Sequence, residues 1–285
     1  MAAGVSHDVS MSLSFDSPVL LAGAGKMGAA MLAGWLERGL DPKNVIVQEP
    51  ELKGEAAELV ARHGIRVLSA ATNLERPPSV IVVAVKPQVM DQVFPALAKL
   101  AGPATVFLSI AAGRSIASFE KHLAANTAVV RAMPNTPAAI GRGITGAVGN
   151  SALNAAQKHS CNDLLAAVGD VVWLSDEHLI DAVTAVSGSG PAYVFLLAEC
   201  LAQAGCDAGL DRETAMKLAR ATVSGAGELL RQSKDDAAVL RQNVTSPGGT
   251  TAAALAVLMR DPDGMQKLLS EAVLAALKRS QELGS

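Results

Sequence analysis

The feature that most constrains this chain is a glycine cluster near its start. Val19 to Ala22 is a short apolar run, and Gly23-Ala24-Gly25-Lys26-Met27-Gly28 follows it directly. Behind the glycines, Met31, Leu32, Trp35 and Leu36 recur at helical spacing, and the pattern closes at Gly39. Glycine is needed at three points between this strand and helix, each time for a different reason. The first makes the tight turn, the second leaves the backbone open to close approach, and the third lets helix and strand pack together. The helix N-terminus then aims N–H groups and a partial positive charge at whatever sits on the turn. That suits a pyrophosphate, so residues 22–28 are expected to cradle a dinucleotide.

The rest of the chain extends this pattern and then changes texture. Strands are expected at Val45 to Gln48, Val67-Leu68, Val80 to Val85, Thr105 to Ile110, Val129 to Ala132, Ile144 to Val148 and Val171 to Leu174. Helical stretches at 54 to 63, 88 to 100 and Ser115 to Ala124 alternate with them, which predicts a parallel, doubly wound sheet of Rossmann type. The nearly continuous β-branched run at 80–85 fits a strand buried on both faces. After Ser175 only helices are expected, at 177 to 186, 191 to 207, 211 to 232, 251 to 260 and 263 to 282, with Asp211 and Asp261 as N-caps. The expected plan is therefore α/β: a polar, disordered extension over 1–16, a dinucleotide-binding domain over 17–175 and an all-helical domain over 176–285. Met11 is a second candidate start.

Composition excludes several classes. Half the residues are hydrophobic and 18% are charged, enough for a large core. A net charge of −3 argues against nucleic acid as a partner. The first residues lack a signal peptide's charged and apolar regions, and no apolar run is expected to reach the roughly 18 residues of a membrane span. Cys161, Cys200 and Cys206 have neither metal nor disulfide spacing, and the five histidines form no ligand pair. Those features fit a reducing, cytoplasmic setting and no bound metal.

At the tip of the second strand stand Gln48, Glu49 and Pro50, with Lys53 the nearby cation. A carboxylate here bonds the adenosine ribose of NAD and repels the extra phosphate of NADP. Glu49 is either that contact or a plain surface carboxylate. If it is the contact, NADH is used readily.

Four later segments carry a resemblance. They are Ala84-Val85-Lys86-Pro87, Met133-Pro134-Asn135-Thr136-Pro137, Ser187-Gly188-Ser189-Gly190-Pro191-Ala192-Tyr193, and Val244-Thr245-Ser246-Pro247-Gly248-Gly249-Thr250-Thr251. In order and spacing they resemble the pyrroline-5-carboxylate reductase family, from about Val19 to the C-terminus. The last segment also makes sense by itself, because glycines and hydroxyls at a helix start form an anion site suited to a carboxylate.

The resemblance implies hydride transfer from NADPH or NADH to the C=N of 1-pyrroline-5-carboxylate, giving L-proline. It implies that Ala84, Val85, Lys86 and Pro87 line the cofactor together with Asn73, Ala111, Ala112 and Asn243. It implies a substrate carboxylate held through Ser246, Gly248, Gly249 and Thr250, Glu177 nearby, and Thr251 as the catalytic hydroxyl on the imine nitrogen. The helical domain would then be a dimerisation domain whose helices interlock between subunits and build the active site jointly, with the Ser187 to Tyr193 segment at the interface. Larger rings of dimers also occur in the family.

Two rivals remain open. A β-hydroxyacid dehydrogenase shares the plan but carries a catalytic lysine with a partner asparagine, and no such arrangement is found near Lys217. A binding module that holds a dinucleotide without turning it over would not need the Ser-Pro-Gly-Gly-Thr anion site.

Overall fold

A computed structural model describes residues 13–71 and 74–284. In chain order the elements are β1 (Val19–Ala22), α1 (Lys26–Glu37), β2 (Val45–Gln48), α2 (Gly54–His63), β3 (Arg66–Leu68), β4 (Val80–Val83), α3 (Met90–Ala98), β5 (Val106–Ser109), α4 (Ile116–Glu120), β6 (Ala128–Met133), β7 (Gly143–Gly149), α5 (Ala155–Ala166), β8 (Gly169–Trp173), α6 (Leu179–Val183), α7 (Gly190–Asp207), α8 (Arg212–Gln232), α9 (Ala237–Asn243), α10 (Thr250–Leu258) and α11 (Met265–Gly284).

The strands form one sheet in the order β3-β2-β1-β4-β5-β6-β7-β8. The central strands β1 and β4 are buried on both faces and apolar at every position, and the alternation of side chains sorts the sheet's apolar residues into two cores. Val19, Leu21, Val47 and Val82 face Met31, Leu32 and Trp35 of α1 and Leu164 of α5. Leu20, Ile46, Ile81 and Val83 face Phe94 of α3, Phe119 of α4 and Ile180 of α6. Buried Trp35 keeps its indole N–H satisfied by donating to the Leu164 carbonyl at 2.9 Å. Phe94 packs against Phe107 and Phe119 with ring centroids 5.3 and 4.9 Å apart, a tilted geometry that adds to area burial.

The sheet corrects one expectation. β6 and β7 are antiparallel, with Arg131 opposite Val148 and Met133 opposite Gly146, while the remaining pairs are parallel. Pro134 to Arg142 is a short link built on a 3-10 turn, and a parallel neighbour needs a crossover of about a dozen residues or more. The chain can only double back.

Other boundaries shift too. Leu13 and Phe15, assigned above to a disordered extension, are buried in the core, and the Leu13 N–H donates to the Arg38 carbonyl at 3.1 Å. Residues 1–12 lie outside the described residues. α5 is an added helix with little apolar stripe. It starts with a reciprocal capping box between Asn154 and Gln157, which stabilises a helix start through local hydrogen bonds. α9 is also added, and α6 runs into a π-helical turn at Thr184–Gly188. Asp211 caps α8 by accepting from the Thr214 N–H at 3.0 Å, and those backbone donors hold its carboxyl below the usual range. Asp261 does not cap α11, which begins at Met265.

The chain splits into two compact units, Met1–Gly188 with Arg279–Ser285, and Ser189–Lys278. The compact units part at Gly188, and the last residues belong with the sheet. In the second unit, α7 and α8 pair along a seam of small residues, Ala202, Ala215 and Ala219, with Gly205 against Ala215. Large apolar side chains of this unit remain exposed, among them Phe195, Leu196, Leu218, Val257 and Leu268. Leu179–Asp207 is one continuous helical stretch long and apolar enough, by length and composition, to cross a membrane. This corrects the expectation that no run reaches that length. Polar Asp181, Ser187 and Ser189 interrupt the stretch when it is read as sequence, whereas the backbone stays helical through them.

Cys161 on α5 is fully buried, and burial pushes its thiol up to about 12. Because the thiolate is the reactive form, Cys161 in native protein at mildly alkaline pH should resist thiol reagents and label only on unfolding. Mass spectrometry of alkylated peptides reads this; rapid native labelling of Cys161 would contradict its placement.

Candidate functional site

Classic doubly wound sheets open a crevice where the strand order reverses, beyond the carboxyl ends of the strands. Here the reversal lies between β1 and β4, and the glycine turn sits at that edge. Gly23 has φ +92°, and its N–H donates to the Gln48 carbonyl at 2.9 Å. A Cβ on Gly23 would lie 2.7 Å from the Ala84 carbonyl carbon, and one on Gly28 would collide with the Gly23 carbonyl oxygen. Both glycines are therefore dictated by packing. Gly25 differs, since a Cβ there would meet nothing within 4 Å. It is exposed and is the N-cap residue of α1, without a side-chain cap. The second glycine thus leaves open space in front of a helix N-terminus that has donors to offer, a cradle that a side chain would fill. The residues present fit a dinucleotide pyrophosphate.

Glu49, Ala84 and Val85 lie against the turn. Ala22 is fully buried and accepts from the Ala84 N–H at 2.7 Å; Ala24 is buried, Lys26 exposed and Met27 half-buried. Glu49, just past β2, accepts from the Ala24 N–H through Oε2 at 2.9 Å and from the Glu51 N–H through Oε1 at 3.4 Å. Ala84 to Pro87 leave the sheet at the end of β4, with Lys86 exposed. Ala111 is buried and Ala112 exposed beyond β5. Arg114 ties those two loops together. Its Nη2 donates to the Pro87 carbonyl at 3.1 Å and to Asp91 Oδ2 at 2.7 Å, and the guanidinium holds the Asp91 carboxyl below its ordinary range. Asn73 lies outside the described residues.

In the second unit, Ser246-Pro247-Gly248-Gly249 is a tight turn closed by the Gly249 N–H on the Ser246 carbonyl at 3.1 Å. Proline at its second position and Gly248 at φ +71° in its third are the requirements of a type II turn. Gly249 is the N-cap residue of α10, with no side-chain cap. The N–H groups of the first helical turn, Thr250 and Thr251 included, have no carbonyl a turn earlier to bond. Thr250 is exposed and Thr251 half-buried beside them. Backbone donors, a helix dipole and hydroxyls at one place can hold a carboxylate and present one further O–H. Asn243 closes α9 just before this turn and is exposed.

Glu177 has committed partners in the first unit. Its Oε1 accepts from the Ile116 N–H at 2.8 Å and from Arg131 Nη1 at 3.0 Å. Arg131 is buried on β6 and also faces Asp181 at 3.8 Å, while Asp181 accepts from Ser280 Oγ at 2.7 Å. Asn135, buried after β6, accepts from the Ile144 N–H at 3.0 Å and donates to the Ser187 carbonyl at 3.2 Å. The Met133 to Pro137 segment is thereby fastened to the π-helical turn. Motif reading leaves Asn135 and Arg131 without roles, because their partners lie far away along the chain.

A family model for pyrroline-5-carboxylate reductase dimerisation matches residues 177–283. Another, for NADP oxidoreductase, coenzyme F420-dependent, matches residues 19–113. The pyrroline-5-carboxylate reductase of Pseudomonas aeruginosa is 41% identical over 261 residues, covering 92% of this chain and 94% of its own. The chain belongs to the pyrroline-5-carboxylate reductase family.

Solved structures of pyrroline-5-carboxylate reductases superpose on it. That from Coxiella burnetii gives a TM-score of 0.87 at 34% identity, covering 94% of this chain and 99% of that one. That from Plasmodium falciparum, with NADP bound, gives 0.78 at 30% identity, covering 95% and 99%. The dimerisation match covers the helices whose apolar faces stand exposed.

Proposed function

We propose that this chain reduces 1-pyrroline-5-carboxylate to L-proline with NAD(P)H, the last step of making that amino acid, in the cytoplasm. The observation that carries the reading is the Ser246–Thr251 turn. A dehydrogenase fold with an open glycine cradle in one unit also carries, in the other, an anion seat with a free hydroxyl next to it.

When bound, the nicotinamide supplies a hydride to the carbon of the C=N bond. Residues of the chain do the rest. Gly23 to Gly28 seat the pyrophosphate, with Gly25 leaving the room. Ala84 to Pro87 and the Ala111-Ala112 turn, tied together by Arg114, give the cofactor a fixed wall, and Asn73 and Asn243 are further candidates. Ser246, Gly248, Gly249 and Thr250 hold the substrate carboxylate. Thr251 places its hydroxyl on the ring nitrogen, which keeps its proton as it takes the π electron pair. Glu177 acts from its bond with Arg131. Orientation of this kind supplies several kcal/mol of the barrier. The test is cofactor oxidation in the presence of pyrroline-5-carboxylate, of the keto product of a β-hydroxyacid, or of no substrate. Oxidation only with the imine is expected; oxidation with a β-hydroxyacid's keto product, or with nothing added, would overturn the reading.

The chain forms a homo-oligomer, and the finer expectation is an obligate dimer, with rings of dimers above it. The exposed faces of α7, α8, α10 and α11 are too apolar for solvent, and obligate interfaces typically bury about 2,000 Å² or more. Sedimentation should show no monomer at assay concentrations, and an active monomer would contradict this.

A further inference from the structure

We propose that Glu49 sets the choice of nicotinamide cofactor and makes this chain favour NADH over NADPH; the inference rests on the reductase reading above. The carboxylate is not a loose surface group. One oxygen accepts from the Ala24 N–H, inside the glycine turn, and the other from the Glu51 N–H in its own loop. Two backbone donors fix it between the tip of β2 and the turn, half-buried. In a dinucleotide seated on such a turn, the adenosine ribose lies at the end of the second strand. There, the unused lone pairs of a fixed carboxylate accept from both ribose hydroxyls. A 2′-phosphate offers no such donor and brings charge of the same sign.

The local cation does not offset this. Lys53 Nζ lies 2.6 Å from Glu51 Oε1, with both side chains largely exposed. Lys53 is thus paired with a second carboxylate, and the loop past β2 carries two acids against one base.

The test compares wild type, Glu49→Gln and Glu49→Ser. The dissociation constants of NADH and NADPH are measured by cofactor fluorescence without substrate, and kcat/KM for each cofactor with pyrroline-5-carboxylate. Wild type should bind NADH about tenfold or more tightly than NADPH, the scale set by like charges a few ångströms apart near water. Glu49→Gln keeps an acceptor for the Ala24 N–H and removes only the charge, so the gap should narrow severalfold. Glu49→Ser should narrow or reverse it, and if that variant folds poorly the glutamine variant decides. A wild type that favours NADPH, or a selectivity equal in all three proteins, overturns the proposal. Selective binding without reduction of the imine would instead sink the reductase reading and leave this one standing.

Discussion

Thr251→Val is expected to lower kcat by about 10²–10³-fold, the usual cost of removing one hydrogen bond made where charge changes in the transition state. Valine replaces the hydroxyl with a methyl group of similar size. Thr251 is half-buried in the first turn of α10, and that helix has no side-chain cap to lose. Thermal stability and NAD(P)H affinity should therefore stay near wild type. Steady-state kinetics beside a cofactor titration check this. Turnover within about threefold of wild type would remove Thr251 from the chemistry, since such a loss falls far short of a transition-state contact.

The second large effect separates two glycines of the same turn. In Gly28→Ala the new methyl group meets the Gly23 carbonyl oxygen. Backbone cannot step aside as a flexible side chain can, so the α1–β1 packing must open, at about 1–3 kcal/mol or more. The melting temperature should fall even without cofactor. In Gly25→Ala the methyl group enters open space, at a φ of −68° that alanine accepts. Its melting temperature without cofactor should match wild type, while affinity for both NADH and NADPH falls by roughly ten- to a hundredfold as the methyl occupies the pyrophosphate's approach. Calorimetry and cofactor titration of both variants make the comparison. A Gly25→Ala protein that binds normally would mean that the open side of the turn is not the cradle.

Both glycines illustrate what local sequence can carry. Their spacing, the strand before them and the helix behind them are all neighbours in the chain. The apolar runs of β1, β2 and β4 were legible for the same reason, since strands covered on both faces show no polar side to confuse them. The direction of β7 was harder to see, because it depends on how few residues separate it from β6. α5 lacks a clear apolar stripe, although Asn154 and Gln157, three apart, signal its start. α9 is short, and its neighbours are turn-forming residues. The buried Leu13 and Phe15 were read by the polar company they keep. At the site, the type II turn of Ser246 to Gly249 could be read from proline and glycine alone. The contacts of Glu49 with Ala24, Glu177 with Arg131 and Asn135 with Ser187 could not. Each joins segments that meet only once the sheet has formed.

The central claim is that hydride reaches one particular carbon of a cyclic imine. The most direct measurement uses NAD(P)H carrying deuterium at the transferable position of the nicotinamide, with 1-pyrroline-5-carboxylate as substrate, and locates the label in the product by NMR. The account predicts L-proline with a single deuterium on the ring carbon next to nitrogen that does not carry the carboxylate. Label on the carboxylate-bearing carbon, or unlabelled proline, or oxidation of the cofactor without proline would contradict it.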